Sequence, residues 1–411
     1  MLARWLGLAA LAAAVAGVLG CGGSGISNAN VAVGDQLTIY SSLPLQGPLA
    51  AISQEVVNGE KLALSAVGGK VGRFKIGYAS LDDSNPASGR WSSGETATAA
   101  KTAAQDASTI AYLGDYNSGA TALSLPLVNA AGIAQVSPSS PYVGLTSSLE
   151  AGQDEPERFY SSGRRSFVRL VPADPVQAAA QVQLIRSLGV RKLYVLDNED
   201  PFQMPLARLV ASGATAAGIT VAAHDGISVT AGANYAGEVE KILESGAQAV
   251  FFAGEGSEGA VALWQQLHAA DPHLLLLGPS SLAEEEGFTA QIGSAAASTY
   301  LTTPALAPAL YPPAGRRVLA DYRRDFGGEP TAYALYGYET MSLVLSAIRR
   351  AGSHGDDRQV VVERLLATRN RDSVLGRYSV EPDGETTFSR YAVDRVRGGR
   401  PVFYRAIEVH R

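Results

Sequence analysis

The chain of 411 residues holds a single cysteine, Cys21, and five histidines. One thiol rules out an internal disulfide. His224, His268, His273, His354 and His410 show none of the spacings with which histidines and cysteines hold a metal. Positive charge is scarce too: 33 lysines and arginines face 39 aspartates and glutamates, a net charge of −6. Without a basic surface to neutralise phosphates, nucleic acid and anionic membrane surfaces are excluded as partners. Long apolar runs are nearly absent. The single example, Trp5 to Leu19, is about 15 residues, short of the roughly 20 that a membrane-spanning helix needs. Signatures of catalysis are missing as well, with no GxSxG elbow, no HExxH pair and no Walker loop, and no enzymatic activity is expected.

What is present begins at the N-terminus. Arg4, the apolar run and the small residues around Gly20 compose a signal peptide over residues 1–20. Val18-Leu19-Gly20-Cys21 resembles a bacterial lipobox, and lipidation of Cys21 after cleavage accounts for both the position and the isolation of that cysteine. The expectation is an extracytoplasmic lipoprotein anchored to the cell membrane through Cys21. Residues 21–34, rich in glycine, serine and asparagine, serve as its linker.

From Gln36 onward short apolar strands alternate with helical segments. Strands are expected at 37–40, 74–78, 110–113 and 133–136, with helices at 52–67, 95–107 and 118–130. That βαβα rhythm predicts a parallel sheet with helices on both faces. Residues 141–166 interrupt it with Pro, Gly, Ser and the acids Glu150, Asp154, Glu155 and Glu157, and read as a functional or solvent-facing insertion. The rhythm restarts at Phe167 and runs to about Leu277, predicting a second doubly wound sheet. Two long helices near 315–326 and 331–351 follow, and the tail from Leu375 to Ile407 alternates as antiparallel strands.

In open parallel sheets, ligands sit beyond the carboxyl ends of the strands. Three loops of the first half end that way: Leu45-Gln46-Gly47, Asp115 to Ser118, and Ser137 to Ser140. The last two put Asn and Ser where a side chain caps a helix or hydrogen-bonds a ligand carboxylate. Gly254-Glu255-Gly256-Ser257-Glu258-Gly259 is a literal GxGxxG, but it lies mid-chain and its glutamates would repel a pyrophosphate, so no dinucleotide or other cofactor is expected. The Asp82-Asp83 pair is expected to cap the turn through Ser84-Asn85-Pro86.

Several segments together resemble the type I periplasmic solute-binding proteins, in the branch that binds leucine, isoleucine and valine for ABC transporters. They are Leu45-Gln46-Gly47-Pro48, Tyr78 to Asp83, Tyr112 to Ser118, Gly132 to Pro138, Leu277-Gly278-Pro279, Tyr336 to Thr340 and the tail around Gly384. The resemblance runs in order along the whole chain after the leader. It implies two α/β lobes joined by a hinge that the chain crosses three times: residues 35–168 plus 299–370 form lobe one, and 169–298 plus 371–411 form lobe two.

The resemblance also implies a site in the cleft between the lobes. Ser118 and Ser139 match positions that hold an α-carboxylate. Where the family's amino-acid binders carry an aromatic residue and an acid on lobe two, this chain has Glu255 and Ser280. Pro141 replaces a hydroxyl residue and Ile52 an aromatic one. Glu255 offers the missing charge from a different strand, and Phe202 an aromatic wall. The expected ligand shell is Gln46, Asn117, Ser118, Ser137, Ser139, Phe202, Glu255, Ser280 and Tyr338, the last taken from the family's aromatic near a lobe-one helix. The implied function is capture of a small polar solute, an amino acid or a related organic acid, amide or aromatic compound, and its delivery to an ABC permease. A receptor that uses the same lobes to signal is the alternative.

Overall fold

The computed structural model describes residues 31–32, 34–285 and 287–409. The leader at 1–20, Cys21 and nearly all of the linker at 21–34 lie outside the described residues. Two sheets organise the chain. The first contains β1 (Gln36–Leu43), β2 (Lys70–Val71), β3 (Phe74–Asp82), β4 (Thr109–Gly114), β5 (Ala134–Ser137) and β6 (Phe167–Arg169), in the order β2-β3-β1-β4-β5-β6. Only the β2–β3 pair is antiparallel. The second contains β7 (Lys192–Asp197), β8 (Thr220–Gly226), β9 (Ala249–Ala253), β10 (Leu275–Gly278) and β11 (Thr299–Thr303). After a small hairpin of β12 (Arg371–Asp372) and β13 (Arg377–Tyr378), β14 (Arg390–Arg397) and β15 (Arg400–Glu408) complete it in the order β15-β14-β11-β10-β9-β7-β8. The structure is therefore the expected pair of doubly wound lobes.

Strand composition explains why both sheets are covered on two faces. Every residue of β4 and of β9 is buried, as parallel strands flanked by helices require. In β7, Leu193 and Val195 pack into one core of the second lobe, while Tyr194 and Leu196 pack into another around Trp264. That is the period-two alternation of a strand sending successive side chains to opposite faces. In the first lobe, helices Ala50–Ala66 and Tyr333–Ala351 meet backbone to backbone. A Cβ on Gly59 would lie 2.1 Å from the Ala334 carbonyl oxygen, and one on Gly337 2.1 Å from that of Val56. Only glycine permits this approach, so the two helices form one rigid layer.

The crossings between lobes differ in detail from the sequence expectation. The resemblance implies lobe one for residues 299–370, but β11 pairs with β10 and β14 in the second sheet, and the return falls after Thr303. Residues 371–411 were assigned to lobe two, yet Leu375, Tyr378 and Val380 pack in the first core, and Arg371 and Tyr378 bind Glu339. After Thr303 the chain re-enters the second sheet only at Arg390.

The insertion at 141–166 is more than a solvent-facing loop. Tyr142, Val143, Leu145, Phe159 and Tyr160 bury themselves with Leu125 and Phe167 in a small core of their own. Arg169, fully buried, ties this core down: its guanidinium donates to the carbonyls of Ser140 and Tyr142, both at 2.7 Å, and pairs with Glu385 at 3.0 Å. The acidic pair divides its labour. Asp82 caps the turn, accepting from the backbone N–H groups of Leu45 and Ser84, whereas Asp83 is buried among the strands.

Candidate functional site

The carboxyl ends of the two sheets face each other across a cleft, as the topology of open α/β sheets requires of a ligand site. On the first lobe, β4 leads through Asp115, Tyr116 and Asn117 into helix Ser118–Ala130, whose N-terminus points at the cleft. Free N–H groups and the helix dipole make this end attractive to an anion. Asn117 occupies the N-cap but makes no capping bond, and its Oδ1 is buried without a partner. The Oγ of Ser118 accepts the backbone N–H of Tyr142 at 3.2 Å, fixing the start of the insertion against the helix. Ser139 completes this wall.

The second lobe presents acids. Glu255 follows β9; Ser280, Ser281 and Glu284 sit on the short helix Ser280–Glu284 after β10, with Glu285 next. Asp200 from the loop after β7 and Asp174 at the start of helix Asp174–Ser187 join them. Five carboxylates therefore line one cleft, and among the described residues no lysine or arginine lines it. Burial pushes the Glu255 carboxyl up to about 7, with Glu285 and Asp200 adding to the effect and Arg90 opposing it. Burial likewise drives Asp174 up to about 7 against the pull of Arg169. Glu284 is raised by burial, partly offset by the hydroxyls of Tyr333, Tyr116 and Ser280.

Two sets of bonds close the lobes over this space. Arg90, at the rim of the first lobe, donates to both oxygens of Glu285 at 2.7 and 2.9 Å, to the Gly256 carbonyl at 3.1 Å and to Glu255 at 3.4 Å. Deeper in, Tyr116 donates to Glu284 at 2.8 Å and Tyr333 donates to its other oxygen. In this closed arrangement the cavity measures about 70 Å³.

Of the nine expected ligand residues, Asn117, Ser118, Ser139, Phe202, Glu255 and Ser280 line the one cleft. The other three lie elsewhere. Gln46 donates its side-chain N–H to Asp82 at 2.7 Å and is held at the neighbouring strand end. Ser137 donates to the Asp115 carbonyl at 2.7 Å and accepts the Ser139 N–H, so its hydroxyl shapes the loop. Tyr338 faces a different surface depression beside Arg371. Five residues beyond Tyr333 it lies about 140° further round the helix; Tyr333 and Tyr116 are the aromatic residues at the acids.

Sequence reasoning missed Trp91, Tyr116, Glu284, Glu285 and Arg90. A signal existed for the glutamates: an acidic run at 284–286 just after Gly278-Pro279, at a strand's carboxyl end. None marked Arg90 or Trp91, which lie in an irregular loop after β3. The GxGxxG segment has a plain structural part: Ser257 caps helix Glu258–Ala270 by accepting the Ala260 N–H.

Comparison with known proteins agrees with this architecture. Residues 37–400 match the periplasmic binding protein family. The Leu/Ile/Val-binding protein homolog 3 of Brucella melitensis biotype 1 is 24% identical over 371 residues, covering 89% of this chain and 93% of the relative. A leucine binding protein from Thermotoga maritima superposes with a TM-score of 0.76 at 21% identity, over 90% of this chain and 99% of that one. A solute-binding protein of an ABC transporter from R. palustris, solved with benzoate, gives 0.70 at 15% identity, over 90% and 95%. The chain belongs to the periplasmic binding protein family, and its two lobes have the type I fold.

Proposed function

We propose that this periplasmic binding protein captures an amino acid between its lobes and hands it to an ABC permease. The observation that carries the reading is the opposition within one cleft of an anion-binding helix end and a set of carboxylates. Asn117, Ser118 and Ser139 stand at the N-terminus of helix Ser118–Ala130, and Glu255, Glu284 and Asp200 stand opposite. A carboxylate suits the first wall and an ammonium group the second. The relatives named for leucine, isoleucine and valine support the same chemistry. A purely anionic solute such as benzoate uses the first wall alone and brings no positive group to Glu255, Glu284 and Asp200, while Arg90 is already engaged by Glu285 and Glu255.

In this reading ligand first binds one lobe of the open form, and hinge closure then buries it against the other. Arg90 with Glu285, and Glu284 with the two tyrosines, act as the closing contacts. The moving units are residues 35–171 with 304–389, and residues 172–303 with 390–409. The lipid on Cys21 tethers the protein to the outer face of the cell membrane, within reach of the permease.

Thermal unfolding against a panel of amino acids, amines and carboxylates tests the reading. Ligand at 100 times its dissociation constant adds about 2.7 kcal/mol of stability. A shift with amino acids, absent with the matching amines and carboxylates alone, is the expected result. A shift with anions only overturns it.

A further inference from the structure

Beyond the cleft, on the far side of Gly119, lies a second and larger cavity of about 430 Å³. Its apolar lining comes from Leu123, Tyr142, Phe159, Phe202, Met204 and Trp91, with the buried Glu155 beside Tyr142, and its rim carries Arg158 and Arg208. Trp91, Gly119 and Phe202 line both spaces, so these three residues make the wall between them. The wall is divided by the hinge: Trp91 belongs to the first lobe and Phe202 to the second. Both rings lie against Gly119, where an added Cβ would come within 2.6 Å of Trp91 and 2.9 Å of Phe202. Parting of the lobes would carry the two rings apart and join the two spaces.

The chamber itself is built across the lobes. The insertion contributes Tyr142 and Phe159, the loop after β7 contributes Phe202, and the helix Met204–Ala216 that follows contributes Met204. Tyr142 and Phe202 meet edge to face at 5.2 Å, and Arg208 pairs with Glu150 at 3.1 Å over the rim. Volume then decides what the site takes. The polar cleft holds about 70 Å³, whereas an apolar cavity of about 150 Å³ is what benzene fills. The charged head of an amino acid fits the cleft, but a bulky side chain does not.

Building on the amino-acid reading, we infer that the chamber made by the 141–166 insertion receives the ligand's side chain. The solute class is thus an amino acid with a large aromatic side chain, clasped by Trp91 and Phe202 as the lobes close. Aromatic walls and the Met204 thioether suit such a group.

Titration calorimetry of the protein with alanine, leucine, phenylalanine and tryptophan tests this, alongside Ala122→Phe and Met204→Phe, which fill the chamber from opposite lobes. The expected result is at least tenfold tighter binding of phenylalanine or tryptophan than of alanine. Each variant should lose that preference while its affinity for alanine stays within twofold, and either variant suffices if the other does not fold. Equal or tighter binding of alanine or leucine by the unaltered protein overturns the chamber and leaves the amino-acid reading standing. So does a preference that survives in the variants. Failure of all four amino acids to bind overturns both.

Discussion

Arg90 and Glu285 meet across the cleft as a two-point pair, guanidinium to carboxylate at 2.7 and 2.9 Å, with only 3% of the Glu285 side chain exposed. The pair is lopsided, since the arginine is partly solvated and the glutamate is not. Removing Arg90 strands a buried carboxylate, which the molecule relieves by opening. Hydrogen bonds to charged groups contribute about 1.5–3 kcal/mol. Arg90→Ala should therefore shift the empty protein toward an open form, seen as a larger radius of gyration in solution scattering, and weaken ligand binding at least tenfold. An unchanged scattering profile would remove Arg90 from the closing contacts.

The acids of the cleft make ligand binding a proton-coupled event. Glu255 is raised to about 7 in the closed arrangement, chiefly by burial, so the closed protein without ligand is expected to hold that proton at pH 6. An ammonium group beside it favours the ionised form and expels that proton. Calorimetry at pH 6 in buffers of different ionisation enthalpy should show proton release on binding, and Glu255→Gln should abolish it. Stability follows the opposite sign. With folded values near 7 for Glu255 and Asp174, the native state holds more protons than the unfolded chain between about pH 4 and 7. The contribution of these two groups to stability therefore falls as pH rises through that window, and the unfolding midpoint of the unliganded protein should be higher at pH 5.5 than at pH 7.5.

Asn117 separates binding from folding. It sits at the N-cap of helix Ser118–Ala130 without making a capping bond, so Asn117→Ala should leave stability within about 0.5 kcal/mol. Its loss from the carboxylate wall should nonetheless weaken ligand binding about tenfold. Ser118→Ala should differ, lowering stability as well, because Ser118 Oγ also holds the Tyr142 peptide. Parallel denaturant and binding titrations distinguish the two variants.

Arg169 is the main structural liability of the first lobe. It is fully buried and anchors Ser140, Tyr142 and Glu385. Replacement by methionine takes the guanidinium from the Ser140 carbonyl and leaves the Tyr142 carbonyl only the Leu145 N–H and Glu385 only the Thr146 hydroxyl, and breaking a buried charge pair of this kind costs about 3–5 kcal/mol. Urea unfolding of Arg169→Met should show a loss of that size. A neutral result would mean that solvent already reaches these groups.

The architecture was legible because its elements repeat with clear periods. Helix Ser118–Ala130 was read from Ser118 to Ala130, and the apolar runs of β4 and β9 announced strands buried on both faces. Pairing partners carry no such local mark. Thr299–Thr303 is not among the expected strands, and only tertiary contact with β10 and β14 puts it in the second sheet. The site was legible where a strand end and a helix start adjoin in sequence, as at Asn117, Ser118 and Glu255. It was not legible where the partner arrives from the other lobe. Arg90 meets Glu285 across a separation of 195 residues, and Tyr333 reaches Glu284 from a helix whose apolar periodicity alone reports burial.

Trp91 at the wall between cleft and chamber has an optical consequence. The chain has three tryptophans, at positions 5, 91 and 264. Trp264 is sealed in the second lobe, its indole N–H donating to Thr299 Oγ1 at 3.1 Å, and Trp5 lies outside the described residues, in the segment expected to be a signal peptide. In protein prepared without the leader, any change of emission on adding ligand originates at Trp91. The molecule thus carries its own fluorophore at the point where the two lobes meet, and its occupancy can be followed without a label.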